Sequence, residues 1–158
     1  NLRANSAGTA ANPLFGWSGD PDKGFYSPGS DLLGLVTNGT ERLRIPNANQ
    51  VHAMSNGTSA APFYSWNVDT DTGLWTSAVD RLNLTAGGLE FIELREDAND
   101  QLVINDTNAD INTRIATTGN NNTLFVDGAN DNVGLGTGAP NTSAHPAWSA
   151  RTWPVECA

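Results

Sequence analysis

The feature that most constrains this chain is an internal repeat at an ungapped offset of 49 residues. Gly8-Thr9 recurs as Gly57-Thr58, and identities continue through Ala11/Ala60, Pro13/Pro62, Trp17/Trp66, Asp20/Asp69, Asp22/Asp71 and Gly24/Gly73. They run on through Asp31/Asp80, Leu33/Leu82, Leu35/Leu84, Gly39/Gly88 and Glu41/Glu90, and replacements keep their character, as in Tyr26/Trp75 and Leu43/Ile92. A repeat without one insertion specifies its loops as well as its strands, which suits a stacked module. The expected organisation is a first β repeat over 1–50, a second over 51–100, a third β segment over 101–141 and an irregular C-terminal tail over 142–158.

Within each unit the apolar period is two. Leu33 and Leu35 alternate with Gly34 and Val36, Asn38-Gly39 follows, and then Leu43 and Ile45 alternate with Arg42 and Arg44. Asn-Gly between alternating runs signals a tight hairpin, because a type I′ turn needs positive φ at both central residues. The second copy places Gly87-Gly88 there, with Leu82 and Leu84 facing Ile92 and Leu94. Parity puts these aliphatic residues on one face and Arg42, Arg44 and Glu93 on the other, so the aliphatics are expected inside each module or against a threefold axis. Phe15-Gly16-Trp17 and Tyr64-Ser65-Trp66 read as short aromatic strands followed by Asp-rich turns. Downstream, Leu102-Val103-Ile104 and Ile111–Ile115 read as strands around a polar turn, and Leu124-Phe125-Val126 with Val133-Gly134-Leu135 as a hairpin. No window sustains a 3.6-residue stripe, so the fold class is all-β.

Composition says where the core is short. Leu, Ile, Val and Phe supply 32 of 158 residues, about 20%, near the limit below which chains do not fold alone. Five Trp argue that surface is nonetheless buried, so the expected partner is the chain itself. A net charge of −9 disfavours nucleic acid and anionic membranes, and no apolar run is long enough for a membrane span. The start, without an initiator Met or an apolar signal core, reads as that of a processed or partial product. Cys157 is the single cysteine, so no internal disulfide staples the fold.

Several motifs bear on chemistry. Asp20-Pro21-Asp22-Lys23-Gly24 and Asp69-Thr70-Asp71-Thr72-Gly73 share the alternating carboxylates and glycine that open many calcium loops, so Asp69, Asp71, Asp20 and Asp22 are the candidate metal ligands, for calcium. Neither has the distal Glu and flanking helices of an EF-hand, and the competing reading is a turn whose carboxylates hold backbone N–H groups. No other cofactor is expected: Gly134-Leu135-Gly136-Thr137-Gly138 is followed by Ala139-Pro140 rather than a helix that would cradle a phosphate. His52, His145 and Cys157 form no recognisable nucleophile–base pair, and the chain is not expected to be an enzyme. Trp66 and Trp75, with counterparts Trp17 and Tyr26, either stack sugars or fill the core of each repeat, and their recurrence favours the core. Trp148 and Trp153 have no counterparts and are candidates for an interface.

The unit Trp66-x-x-Asp69-Thr70-Asp71-Thr72-Gly73-Leu74-Trp75, with Asp80-x-Leu82-x-Leu84 and Gly88-x-Glu90, resembles the repeat of bacteriophage tail-fibre and head-fibre proteins, and Thr37–Ile45 of the first copy matches it more closely. Asn105-Asp106-x-x-Ala109-Asp110, Leu124–Asp127 and Val133–Thr137 resemble a further segment of such fibres, so the likeness covers residues 8–141. The resemblance implies an elongated homotrimeric virion appendage, at the particle surface, that joins other virion structural proteins and contributes to host attachment, with a host surface glycan as a further partner. The alternative is a secreted carbohydrate-binding or bacterial surface-layer or adhesin module.

Overall fold

The computed structural model describes residues 6–107 and 109–140. The chain is all-β, and every sheet is antiparallel with strands in sequence order. The first sheet is a five-stranded meander of β1 (Phe15–Trp17), β2 (Asp20–Tyr26), β3 (Leu33–Thr37), β4 (Thr40–Ile45) and β5 (His52–Ala53). A two-stranded ribbon, β6 (Gly57–Thr58) and β7 (Ala61–Pro62), leads into the second meander of β8 (Tyr64–Trp66), β9 (Asp69–Trp75), β10 (Arg81–Ala86), β11 (Leu89–Arg95) and β12 (Gln101–Ile104). A three-stranded sheet follows, with β13 (Thr113–Thr117), β14 (Asn120–Asp127) and β15 (Asn132–Leu135). No helix among the described residues is long and apolar enough to cross a membrane.

Local chemistry accounts for the central hairpins. Asn38 and Gly39 have φ of 52° and 63°, and Gly87 and Gly88 have 57° and 74°, the left-handed pair that a two-residue turn requires. These turns set the register Leu33↔Ile45 and Leu35↔Leu43 in the first sheet and Leu82↔Leu94 and Leu84↔Ile92 in the second. Both hairpins then carry a bulge at the same place. Val36 pairs with Glu41 and Thr85 with Glu90, leaving Arg42 and Phe91 as extra residues.

Three placements differ from the sequence reading. The aspartate pairs open β2 and β9 instead of lying in the turns, which are Ser18-Gly19 and Asn67-Val68. Leu102–Ile104 does not pair with the strand after it; Ile104↔Ile92 and Leu102↔Leu94 make it the fifth strand of the second sheet, because its aliphatic pair extends that sheet's apolar rows. Arg42, as the bulge residue, leaves the parity of Arg44 and lines a hollow with Trp17, Lys23, Leu35 and Leu43.

Burial is the largest departure. Among the described residues the buried hydrophobic ones are Val36, Ile111 and Phe125, whereas Asn83, Thr85, Glu90, Glu93 and Asn132 are all buried. Leu82 and Leu94 of the second hairpin are 42% and 46% exposed, and Leu33 and Ile45 of the first are alike. In the single chain Leu33, Ile45, Leu82, Leu84 and Leu94 are therefore exposed rather than inside a module, while Leu35, Leu43 and Ile92 are half-buried. The physical reason lies in the segments before β1 and β8, which fold back over the polar face. Ser27 N–H donates to the Ala7 carbonyl at 2.8 Å and Thr76 N–H to that of Asn56 at 3.0 Å. The Thr85 hydroxyl lies 2.7 Å from the Leu89 carbonyl and 3.1 Å from that of Ser59.

Candidate interaction surface

Directly opposed residues in a sheet share a face, so the pairing traces apolar rows across whole sheets. In the second sheet Tyr64, Leu74, Leu84, Ile92 and Ile104 form one row, and Leu82, Leu94 and Leu102 another. In the first, Phe15, Phe25, Leu35, Leu43 and Ala53 run across all five strands, with Leu33 beside Ile45. The third sheet repeats the arrangement with Ile115, Leu124 and Leu135 and with Val126 beside Val133. Grooves of about 840 Å³ over Leu82, Leu94 and Leu102 and about 430 Å³ over Leu43, Phe63, Leu74 and Leu82 follow these rows. The second groove joins the apolar faces of the first two sheets.

The opposite faces carry charge. Tyr26, Gly34 and Arg44 stand in one row of the first sheet. Glu41 accepts from the Tyr26 hydroxyl at 2.9 Å and from Arg44 through Nε at 2.9 Å and Nη2 at 2.5 Å. The Arg44 guanidinium holds the Glu41 carboxyl below the ordinary carboxylate range, and burial together with the Glu41 hydrogen bond raises Tyr26. In the second sheet the row is Trp75, Asn83 and Glu93. Asn83, 0% exposed, donates through Nδ2 to Glu90 at 2.8 Å and accepts from Ser77 N–H at 3.0 Å. Arg81 and Arg95 reach Glu93 at 2.6 and 2.9 Å, and Arg95 also reaches Asp106 at 3.2 Å.

The sequence-based site residues fare unevenly. Asp20 and Asp22 stand together on β2, where hydrogen bonding from Lys23 and then Asp22 lowers Asp20, and the shared hydrogen bond with Asp20 raises Asp22. Lys23 Nζ takes Asp20 at 3.0 Å and sits 5.4 Å from the centre of the Trp17 ring, so one carboxylate of the first pair is already neutralised. The contact both copies share is through the main chain, Gly39 N–H to Asp22 C=O and Gly88 N–H to Asp71 C=O, each 2.9 Å. Asp69 and Asp71 are joined by no third acidic group among the described residues. The acids that do converge are Glu90, Glu93 and Asp106, and guanidiniums already occupy Glu93 and Asp106. Sequence reasoning missed this group. Its signal was the 49-residue comparison at the positions where character changes, Gly34/Asn83 and Arg44/Glu93.

The aromatic residues separate. Trp17 and Trp66 are 56% and 57% exposed, so they do not fill a core, because β1 and β8 are edge strands with a neighbour on one side only. Trp17 shares its hollow with Phe25, Leu35 and Leu43, on the apolar side. Trp75 lies in the row of Asn83 and Glu93 with its Nε1 buried and unpartnered. Trp66 and Trp75 therefore do not make one stacking platform. Trp148 and Trp153 lie outside the described residues.

Together these features define a class: tandem antiparallel sheets whose aliphatic rows face outward, the first two of them with charged rows facing inward. Compared with known proteins, the chain matches no protein-family model, no curated protein and no solved structure.

Proposed function

We propose that this chain is a structural protein of a bacteriophage particle, a homotrimeric fibre or capsid-decorating appendage that contributes to host attachment and performs no catalysis. The observation that supports the reading is the exposed aliphatic row on each of the three larger sheets, Leu82–Leu94–Leu102 being the clearest. A surface of this kind is stable in water when copies of the chain cover it for one another, and association also protects the edge strands. The number three and the phage context come from the likeness of the 49-residue unit to phage fibre repeats. Partners at the particle surface are then further copies and other virion structural proteins, with a host glycan beyond them.

Two measurements test the reading. Sedimentation should give a trimer, and Leu94→Asp should give a monomer that keeps the β-type circular dichroism of the parent, since Leu94 is 46% exposed in the single chain. A wild-type monomer at all concentrations would remove the trimer. Mass spectrometry of purified particles should find the chain among virion components. A second reading, a secreted carbohydrate-binding or surface-layer module, draws on the exposed Trp17 and Trp66. A glycan array that lights up with wild type and goes dark with Trp66→Ala, together with absence from particles, would favour it.

A further inference from the structure

The first two sheets carry one internal slot filled in two ways. Tyr26, Gly34, Glu41 and Arg44 correspond, 49 residues on, to Trp75, Asn83, Glu90 and Glu93. In the first sheet the carboxylate of Glu41 meets a forked guanidinium and a phenol, which matches one negative charge with one positive. In the second sheet Arg44 has become an acid and the phenol has become an indole. Glu90, 8% exposed, keeps a single neutral donor, the Asn83 amide at 2.8 Å.

Every neighbouring element adds to the imbalance. From β10 comes Arg81 and from β11 come Glu93 and Arg95, but both arginines turn to Glu93. The turn after β11 brings Asp97, 4.0 Å from Arg81, and the segment after β12 brings Asp106, bound by Arg95. From β9 comes Trp75, and the turn between β6 and β7 supplies the Ser59 carbonyl beside Thr85. Four acids thus share two cations, and a carboxylate oxygen of each of Glu90, Glu93 and Asp106 lies within 4.8 Å of the others. A buried acid without a cation gives up its charge more readily than it keeps it.

We propose that Glu90 is carried as the neutral acid in the folded second sheet, so that this sheet loses stability as pH rises while the first sheet, with the same slot neutralised by arginine, does not. Burial moves Glu90 upward, against the pull of the Asn83 hydrogen bond and with the push of Glu93 and Asp106. The sign follows. An acid raised on folding stabilises fully below its ordinary range, and its contribution is lost as pH rises through the raised value. Loss of the proton places a third carboxylate, the one without a guanidinium, beside Glu93 and Asp106, which loosens the sheet. The inference concerns the face away from the aliphatic rows and does not depend on how many copies assemble.

Carboxyl carbon-13 NMR of the full chain tests it, with Glu90→Gln to assign the resonance. The Glu90 carboxyl should titrate above those of Glu41 and Glu93. Hydrogen-exchange protection in β9–β11, corrected for intrinsic rates, should fall by up to about tenfold per pH unit between the ordinary glutamate range and that midpoint and level off beyond it, while protection in β2–β4 stays level. Gln is the isostere of the neutral acid, so Glu90→Gln should match wild type in thermal stability in acid and exceed it above pH 7. Glu93→Arg, which restores the arrangement of the first sheet, should bring the Glu90 midpoint down. A Glu90 midpoint within the ordinary glutamate range, or a Glu90→Gln deficit as large in alkali as in acid, would overturn the proposal, and the wild-type titration serves even where a variant does not fold.

Discussion

At the scale of single residues, small changes decide which charges the interior can hold. Gly34 is required by its neighbours: a Cβ there would overlap the Tyr26 ring and stand 2.8 Å from Glu41 Oε1. In the second sheet the same position accepts Asn83, which supplies the hydrogen bond that the Tyr26 hydroxyl supplies in the first. The Glu41–Arg44 pair predicts a pH dependence opposite to that of Glu90. Glu41 is lowered on folding, so its contribution is present above the ordinary carboxylate range and is lost as pH falls through its folded value. Glu41→Gln should cost about 1–3 kcal/mol in urea unfolding at neutral pH, because a guanidinium loses its anion. The gap to wild type should close in strong acid; a gap independent of pH would show that packing, not charge, is what the side chain contributes.

At the scale of elements, the hairpin turn and the bulge carry the design. Two left-handed residues close each turn, and the bulge beyond it turns Glu41 and Glu90 to the inner face, where unbroken alternation would have set them beside Leu43 and Ile92. Gly88, at φ +74°, can therefore be separated from a glycine that serves only as a spacer. Gly88→Val should lower stability by about 1–2 kcal/mol through left-handed strain. Gly19→Ala, at a turn with open space around it and no positive φ, should leave the urea midpoint near that of wild type. Equal effects at the two sites would mean that the second turn does not set the register. The alternating strands and the Asn38-Gly39 and Gly87-Gly88 turns were legible in the sequence, since both are local. The bulge was not, because one extra residue leaves no mark on composition or period.

At the scale of the molecule, the aliphatic rows and the net charge of −9 act against each other. Burying Leu82, Leu94 and Leu102 between copies draws chains together, and the accumulated negative charge drives them apart. Salt screens the repulsion and leaves the apolar attraction, so sedimentation should shift toward the oligomer as ionic strength rises from about 0.01 to 0.15 M. A shift toward the monomer would show that ion pairs between copies hold the assembly instead. By itself the sequence determined the all-β class, the two hairpins and their side-chain register, because each depends on residues a few positions apart. Parity separated Leu82, Leu84, Ile92 and Leu94 from Glu93 without saying which set is covered. Only the tertiary structure decided that, through the returning segments that close over Thr85 and leave the leucines bare. The same holds for the acids around Glu90: Arg81 and Arg95 reach Glu93, and Arg95 reaches Asp106, from elements whose meeting no local pattern encodes.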